Sequence, residues 1–320
     1  MPFSTQPLGT PSLSPRARLL HGPAMMMTAN LFFGFVPVLA RYAMLEGYPS
    51  SEVMFIRFAL ACVVVVALLA LGLGRLDMRQ WRLLFLRGLF GGIAVLCYFY
   101  AIQMTSAAKG VLLNYTHSMW ANVYTVFFFS HRPPRGFWWI LAMAGAGLWL
   151  VLDPSFSSFN SGDALGLVSG MAGGVAIMTI KQLRRETNVL TVFASFAVFG
   201  SAMALIPGAF EGFGATAAAG PGTIPASAYG SWMMPHGTAL WVLLGLAALG
   251  MTGQMFFTHG YGFTSIALGT VMSLSVPAIA AVAGWVFLGE PLTPNFLLGG
   301  TLIMGACGLL QFREAAESKI

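Results

Sequence analysis

The most constraining feature of this chain is its punctuation. Apolar stretches of roughly 20 residues, the length that crosses a bilayer as a helix, follow one another with short polar connections between them. Ten such spans can be drawn, at 24–44, 51–73, 81–103, 109–130, 136–152, 162–181, 189–208, 238–258, 268–288 and 295–312. Of 320 residues, 57% are apolar and only 8% are charged, against about 25% charged in soluble domains. A soluble fold of this size cannot hide that much apolar surface. Composition thus excludes a soluble enzyme, a disordered chain and a nucleic-acid-binding domain, and the lipid bilayer becomes the expected surrounding. Cys62, Cys97 and Cys307 lie far apart in apolar runs, a spacing that suggests neither a disulfide framework nor a metal site. No cofactor is expected.

Basic residues orient the spans. With the N-terminus in the cytoplasm, the inner side receives Arg16, Arg18, Arg75, Arg79, Arg82, Arg87, Arg132, Arg135, Lys181, Arg184, Arg185, Arg313 and Lys319. The outer side receives only Arg41 and Lys109, while Arg57 falls within the second span. This asymmetry predicts an integral, multi-pass protein with both termini cytoplasmic, and short loops suit a bacterial inner membrane. The longest connection, 209–237, is rich in Gly, Ala and Pro and lies outside; its Tyr229 and Trp232 suit headgroup depth.

The chain also carries an internal repeat. When Tyr100–His131 is laid on His259–Glu290, Thr105-Ser106 meets Thr264-Ser265, Gly110 meets Gly269, and His131 meets Glu290. Each segment is followed by a Pro-containing turn and a Gly/Ala-rich span. Five spans per half is an odd number, so the halves face opposite ways. Inverted repeats of this kind build two alternating gates around one midplane site. The expected organisation is a tail at 1–23, one five-helix repeat at 24–152, a second at 162–312 containing the 209–237 loop, and a tail at 313–320.

Three stretches make the chain resemble the drug/metabolite transporter superfamily, in its ten-helix EamA-type branch. They are Glu52–Phe58 with Arg57, Thr264–Pro277, and the Phe287–Gly308 segment with its Phe-Leu-Gly-Glu turn at Glu290. The first half departs from that turn, because its matching position reads Phe-Phe-Phe-Ser-His with no Glu. The resemblance implies an all-α fold of two inverted repeats and one cavity between them, which moves a small organic substrate. It also implies that spans one, three, four, six, eight and nine line the cavity. Carried over by span, this favours Asn30, Phe33, Tyr98, Asn114, His117, Trp120, Gln254 and Ser273 as substrate contacts.

The residues themselves say much the same of span four. Polar groups in hydrocarbon are costly and are functional candidates by default. Helical spacing puts Asn114, His117 and Trp120 on one face, offering an amide, an imidazole and an aromatic plate to an amphipathic ligand; helix–helix pairing is the competing role. Pro37 and Pro277 are candidate hinges. Arg57 is a candidate outer gate or ion pair with Glu52, and Glu290 is expected to serve the turn into the tenth span. No Asp or Glu lies mid-span, so a carboxylate proton relay lacks its usual group. Transport is then facilitated exchange, or proton-linked only through His117. A cationic cargo would require a buried carboxylate, so a neutral or zwitterionic cargo such as an amino acid is favoured; an anionic one would meet Arg57 or Lys109. A drug-like amine, a nucleoside or a vitamin stays open. An intramembrane enzyme would need an Asp pair, an HExxH or a Ser/His dyad, and none is present. The oligomeric state stays open, with a monomer compatible.

Overall fold

The computed structural model describes residues 15–128, 136–152, 159–210, 232–264, 269, 272–273 and 275–317. Among them every regular element is a helix: α1 (Pro15–Leu45), α2 (Ser50–Ala70), α3 (Trp81–Met104), α4 (Ala107–Asn114), α5 (His117–Phe128) and α6 (Phe137–Leu152). Then come α7 (Ser161–Leu183), α8 (Val189–Phe210), α9 (Gly237–Phe263), α10 (Ser275–Leu288) and α11 (Pro294–Glu317). In lipid the backbone must satisfy its own polar groups, and a helix does so within one segment. Among the described residues, six helices are long and apolar enough to cross a membrane: His21–Leu45, Ser50–Ala70, Trp81–Met104, Ser161–Leu183, Val189–Pro207 and Gly237–Phe263. Their outward faces carry large exposed apolar side chains such as Val63, Val66, Val198 and Trp241.

Helix ends follow local chemistry. Asn160 and Asp163 form a reciprocal capping box at the start of α7, and the Ser106 hydroxyl accepts the Lys109 amide at the start of α4. Gly47, at φ 101°, turns the chain after α1, and Gly289, at φ 65°, does so after α10. Several helices outrun their hydropathy. α1 begins nine residues before the apolar run does, because Arg, Leu and Ala are good helix formers wherever the chain leaves the hydrocarbon.

The fourth span departs from expectation. It is two helices, α4 and α5, parted at Tyr115-Thr116. There the ladder tightens: the Thr116 amide reaches the Leu113 carbonyl at 3.2 Å instead of continuing the four-residue pattern. The carbonyls released are taken up locally. Leu113 O accepts the Thr116 hydroxyl at 2.6 Å, and Asn114 O accepts His117 Nδ1 at 2.9 Å. A break is tolerated at this depth because side chains complete the backbone bonding.

Helix packing pairs the two parts of the chain across each other. α1 lies along α9 and α7 lies along α3; α2 packs on α8 and α6 on α11. α4 and α5 lean on α7, and α10 leans on α1. Small residues make the close approaches. A Cβ on Gly166 would sit 2.8 Å from Leu113, one on Gly170 2.2 Å from Thr116 Oγ1, and one on Gly174 3.0 Å from the Ala121 amide. Gly88 and Gly92 accept Phe199 and Met203 of α8 in the same way.

Candidate functional site

A cavity of about 120 Å³ lies in the middle of this packing. Phe33 and Val36 of α1, Arg57 of α2, and Arg87, Gly91 and Tyr98 of α3 form one side. Asn114, Tyr115 and His117 bring in the α4–α5 break, and Gly173, Ala176 and Ile180 bring in α7. Phe196 of α8, with Gln254 and Phe257 of α9, closes the rest. Spans two and seven thus contribute where the resemblance implied none, and no described residue of span nine lines the cavity.

Of the eight residues read as substrate contacts, the cavity holds Phe33, Tyr98, Asn114, His117 and Gln254. Asn30 is fully buried elsewhere and donates to the Met272 carbonyl at 2.7 Å. Ser273 is buried and donates to the Gly269 carbonyl at 2.9 Å. Trp120 lines a separate, almost wholly apolar cavity of about 210 Å³ with Met119, Val123, Leu167 and Ile303. His117 and Trp120 both belong to α5, three residues apart, yet His117 lines the central cavity and Trp120 the apolar one. Pro37 and Pro277 are both buried, in α1 and α10.

His117 donates from Nδ1 to a carbonyl, so its neutral ring presents an acceptor at Nε2, which is buried without a partner among the described residues. Asn114 Nδ2 donates to Ser169 Oγ, whose own proton goes to the Ala94 carbonyl at 2.8 Å. Gln254 Nε2 donates to Thr258 Oγ at 3.3 Å.

Two arginines are the surprise. Arg57 is not paired with Glu52, whose carboxylate accepts the Met233 amide at 3.1 Å from both oxygens. Its guanidinium lies instead over Phe58 and Phe99, at 5.3 and 5.7 Å from the ring centroids. Arg87, sorted to the cytoplasmic side by its neighbours in sequence, is 3% exposed inside α3 and stacks 4.1 Å over Phe196. Among the described residues neither arginine has a carboxylate within ion-pair distance. Glycines make their room: a Cβ on Gly91 would strike Arg87 Nη1 at 2.0 Å, and one on Gly250 would strike Arg57 Nε at 2.5 Å. Hydropathy alone could not separate Arg87 from its neighbours Arg79, before α3, and Arg82, in the first turn of α3. The glycine one turn beyond it was the available signal.

Both ends of the bundle are tied. At the end holding the α1–α2 turn, Arg41 Nη1 donates to the carbonyls of Ile102 and Gln103 at 2.9 and 2.6 Å. Its Nε lies 3.9 Å from Glu290. The Glu290 carboxylate accepts the amides of Ala107 and Ala108, at 2.8 and 3.3 Å. It therefore caps α4 and not the helix that follows it, which corrects the turn role read from sequence. Lys109, the other candidate anion partner, is held by Asp163 at 2.8 Å. At the opposite end Lys181 Nζ donates to the carbonyls of Tyr261 and Thr264, at 3.0 and 2.8 Å. Tyr261 is the residue the repeat matches to Ile102. The glycines agree: a Cβ on Gly110 would meet Ile102, and one on its match Gly269 would meet Tyr261, both at 2.8 Å.

The EamA-like transporter family model matches this sequence twice, over residues 20–153 and 160–312. The chain belongs to the EamA-like transporter family. It is a multi-pass integral protein of the inner membrane and a transporter, not an enzyme. The Pseudopaline exporter CntI of Pseudomonas aeruginosa is 24% identical over 290 residues, covering 90% of this chain and 95% of its own. The Threonine/homoserine exporter RhtA of Escherichia coli is 29% identical over 325 aligned positions, covering 93% and 98%. The Riboflavin transporter of Vibrio cholerae is 21% identical, covering 94% and 96%. A crystal structure 19% identical in sequence covers 93% of this chain and 98% of its own at a TM-score of 0.58, a likeness of fold.

Proposed function

We propose that this transporter exports or exchanges a small amino-acid-like metabolite by alternating access, with the central cavity as its cargo site. The cavity carries the reading. It is the place where the two parts of the chain meet, and buried polar groups from a broken helix face into it, as in other transporters with discontinuous helices. In this reading the fold is ten spans in two inverted five-helix repeats, with both termini cytoplasmic. Phe33, Tyr98, Asn114, His117 and Gln254 are the substrate contacts. Asn30 and Ser273 hold the surrounding helices.

Support for the inverted repeat comes from exchange symmetry. α1 on α9 and α7 on α3 are the same contact with the parts swapped, and the family model matches each part once. Arg41 and Lys181 bind carbonyls at the matched positions Ile102 and Tyr261, at opposite ends. They are the natural latches of an outer and an inner gate. The amino-acid-like cargo rests on similarity to the threonine/homoserine exporter; similarity to a riboflavin transporter leaves a vitamin as the second reading.

The test is counterflow in proteoliposomes. Vesicles holding the purified protein and loaded with unlabelled threonine, homoserine, glutamate or riboflavin are diluted into the labelled compound. Transient accumulation with an amino acid, lost in His117→Ala and Asn114→Leu, is the expected result. Accumulation with none of these compounds, by protein that is folded in the vesicles, would overturn the cargo reading.

A further inference from the structure

The two guanidiniums are the only formal charges among the described residues lining the cavity, and both are positive. Arg57 is 6% exposed and Arg87 is 3% exposed. Arg87 Nε is buried without a hydrogen-bond partner among the described residues. Ring faces and carved glycines hold both groups, and these contacts position a cation without neutralising it. A buried charge of this kind persists where its partner arrives with the ligand. We propose that the cargo is a compact organic acid with two carboxylates, one bound at Arg57 and one at Arg87. This rests on the reading of the cavity as the cargo site.

The geometry sets the size of that acid. The Arg87 guanidinium lies against Gly91, and Arg57 lies beside Phe99 on the same helix. Eight residues of α3 separate those positions, about 12 Å at 1.5 Å per residue. Arg57 lies over Phe58 and Arg87 over Phe196, and these two rings pack edge to face at 4.9 Å between centroids, so each cation has its own aromatic seat. A bidentate guanidinium–carboxylate contact occupies about 4 Å between carbon centres. With that helix rise taken as the span between the guanidiniums, two such contacts leave about 4 Å, close to the length of a four- or five-carbon dicarboxylate. Along that span the walls offer the Tyr98 ring, the Asn114 amide and the free acceptor at His117 Nε2. His117 Nε2 suits an ammonium or hydroxyl proton on the carbon backbone, so an acidic amino acid fits as well as a plain diacid.

Thermal stability and calorimetric binding of the full-length protein in nanodiscs test this. Succinate, glutarate, aspartate and glutamate are compared with butyrate, threonine and sodium chloride at equal ionic strength. The expected result is saturable stabilisation by the dicarboxylates, at least tenfold tighter than by butyrate or threonine, and none by chloride. Arg57→Met and Arg87→Met each lose that preference, and Arg57→Lys and Arg87→Lys retain part of it. Equal binding of threonine and glutamate overturns the proposal, and so does stabilisation matched by chloride. Absence of any dicarboxylate effect at millimolar concentration also overturns it; this readout uses the unaltered protein and does not depend on a variant folding. Dicarboxylate binding without counterflow would refute the cavity as a transport site while leaving the anion site standing. Counterflow of threonine without dicarboxylate binding would do the reverse.

Discussion

Glu290 offers a local measurement of how the gate at the α1–α2 end is held. Ala107 and Ala108 open α4, so their amides have no intrahelical acceptor. Both point at the Glu290 carboxylate, at 2.8 and 3.3 Å. Glu290→Ala removes these two bonds and the 3.9 Å approach to Arg41. A hydrogen bond to a charged group contributes about 1.5–3 kcal/mol, and the longer Ala108 contact counts for less. Arg41 keeps the Ile102 and Gln103 carbonyls, so no buried cation is orphaned and the larger penalty for breaking a buried pair does not apply. The net loss is about 3 kcal/mol, a shift of roughly 10²-fold in local opening. Hydrogen exchange followed by mass spectrometry on a peptide spanning 105–112 reads it directly. Exchange at Ala107 and Ala108 should quicken about 10²-fold in Glu290→Ala and by less in Glu290→Gln, which keeps one acceptor oxygen. Peptides from the middle of α9 should not change. Unaltered exchange at Ala107 and Ala108 would refute the assignment of Glu290 as the cap of α4.

Lys181→Met should loosen the opposite end. It deprives the Tyr261 and Thr264 carbonyls of a charged donor, and faster exchange in residues 258–264 with no change at 105–112 is the expected pattern. Gly250→Ala should push the Arg57 guanidinium out of place, at an overpacking cost of about 1–3 kcal/mol, and weaken anionic cargo binding about tenfold while the protein still folds; calorimetry checks it. Gly170→Ala should cost a similar amount, because its new Cβ would meet Thr116 Oγ1 and, at 2.9 Å, the Leu113 carbonyl, which cannot turn aside; a lowered unfolding temperature in nanodiscs checks it. Trp120→Leu should leave cargo affinity within about twofold of the parent protein while His117→Ala lowers it, since Trp120 faces the apolar cavity.

Local chain chemistry determined much of this protein. Apolar runs of bilayer length can only be helices, and the capping signals at Ser106 and Asn160 mark where two of them start. The family resemblance was legible in the Glu52–Phe58 and Phe287–Gly308 segments. Phe33, Tyr98, Asn114, His117 and Gln254 could be named as candidates because a polar or aromatic group at a given depth in a span stands out against hydrocarbon.

Only the tertiary structure decided the rest, because it depends on what each side chain meets across the bundle. Arg87 reads as one more cytoplasmic arginine until α8 brings Phe196 to its face. Arg57 and Glu52 read as a candidate ion pair until the Met233 amide claims the carboxylate. Glu290 reads as part of its own turn until α4 delivers two unpaired amides to it from 180 residues away along the chain. Trp120 and His117 share α5, and only what each meets across the bundle sends them to different cavities. The break at Tyr115-Thr116 depends on His117 and Thr116 returning to the freed carbonyls, and on the α7 glycines leaving room for the turn.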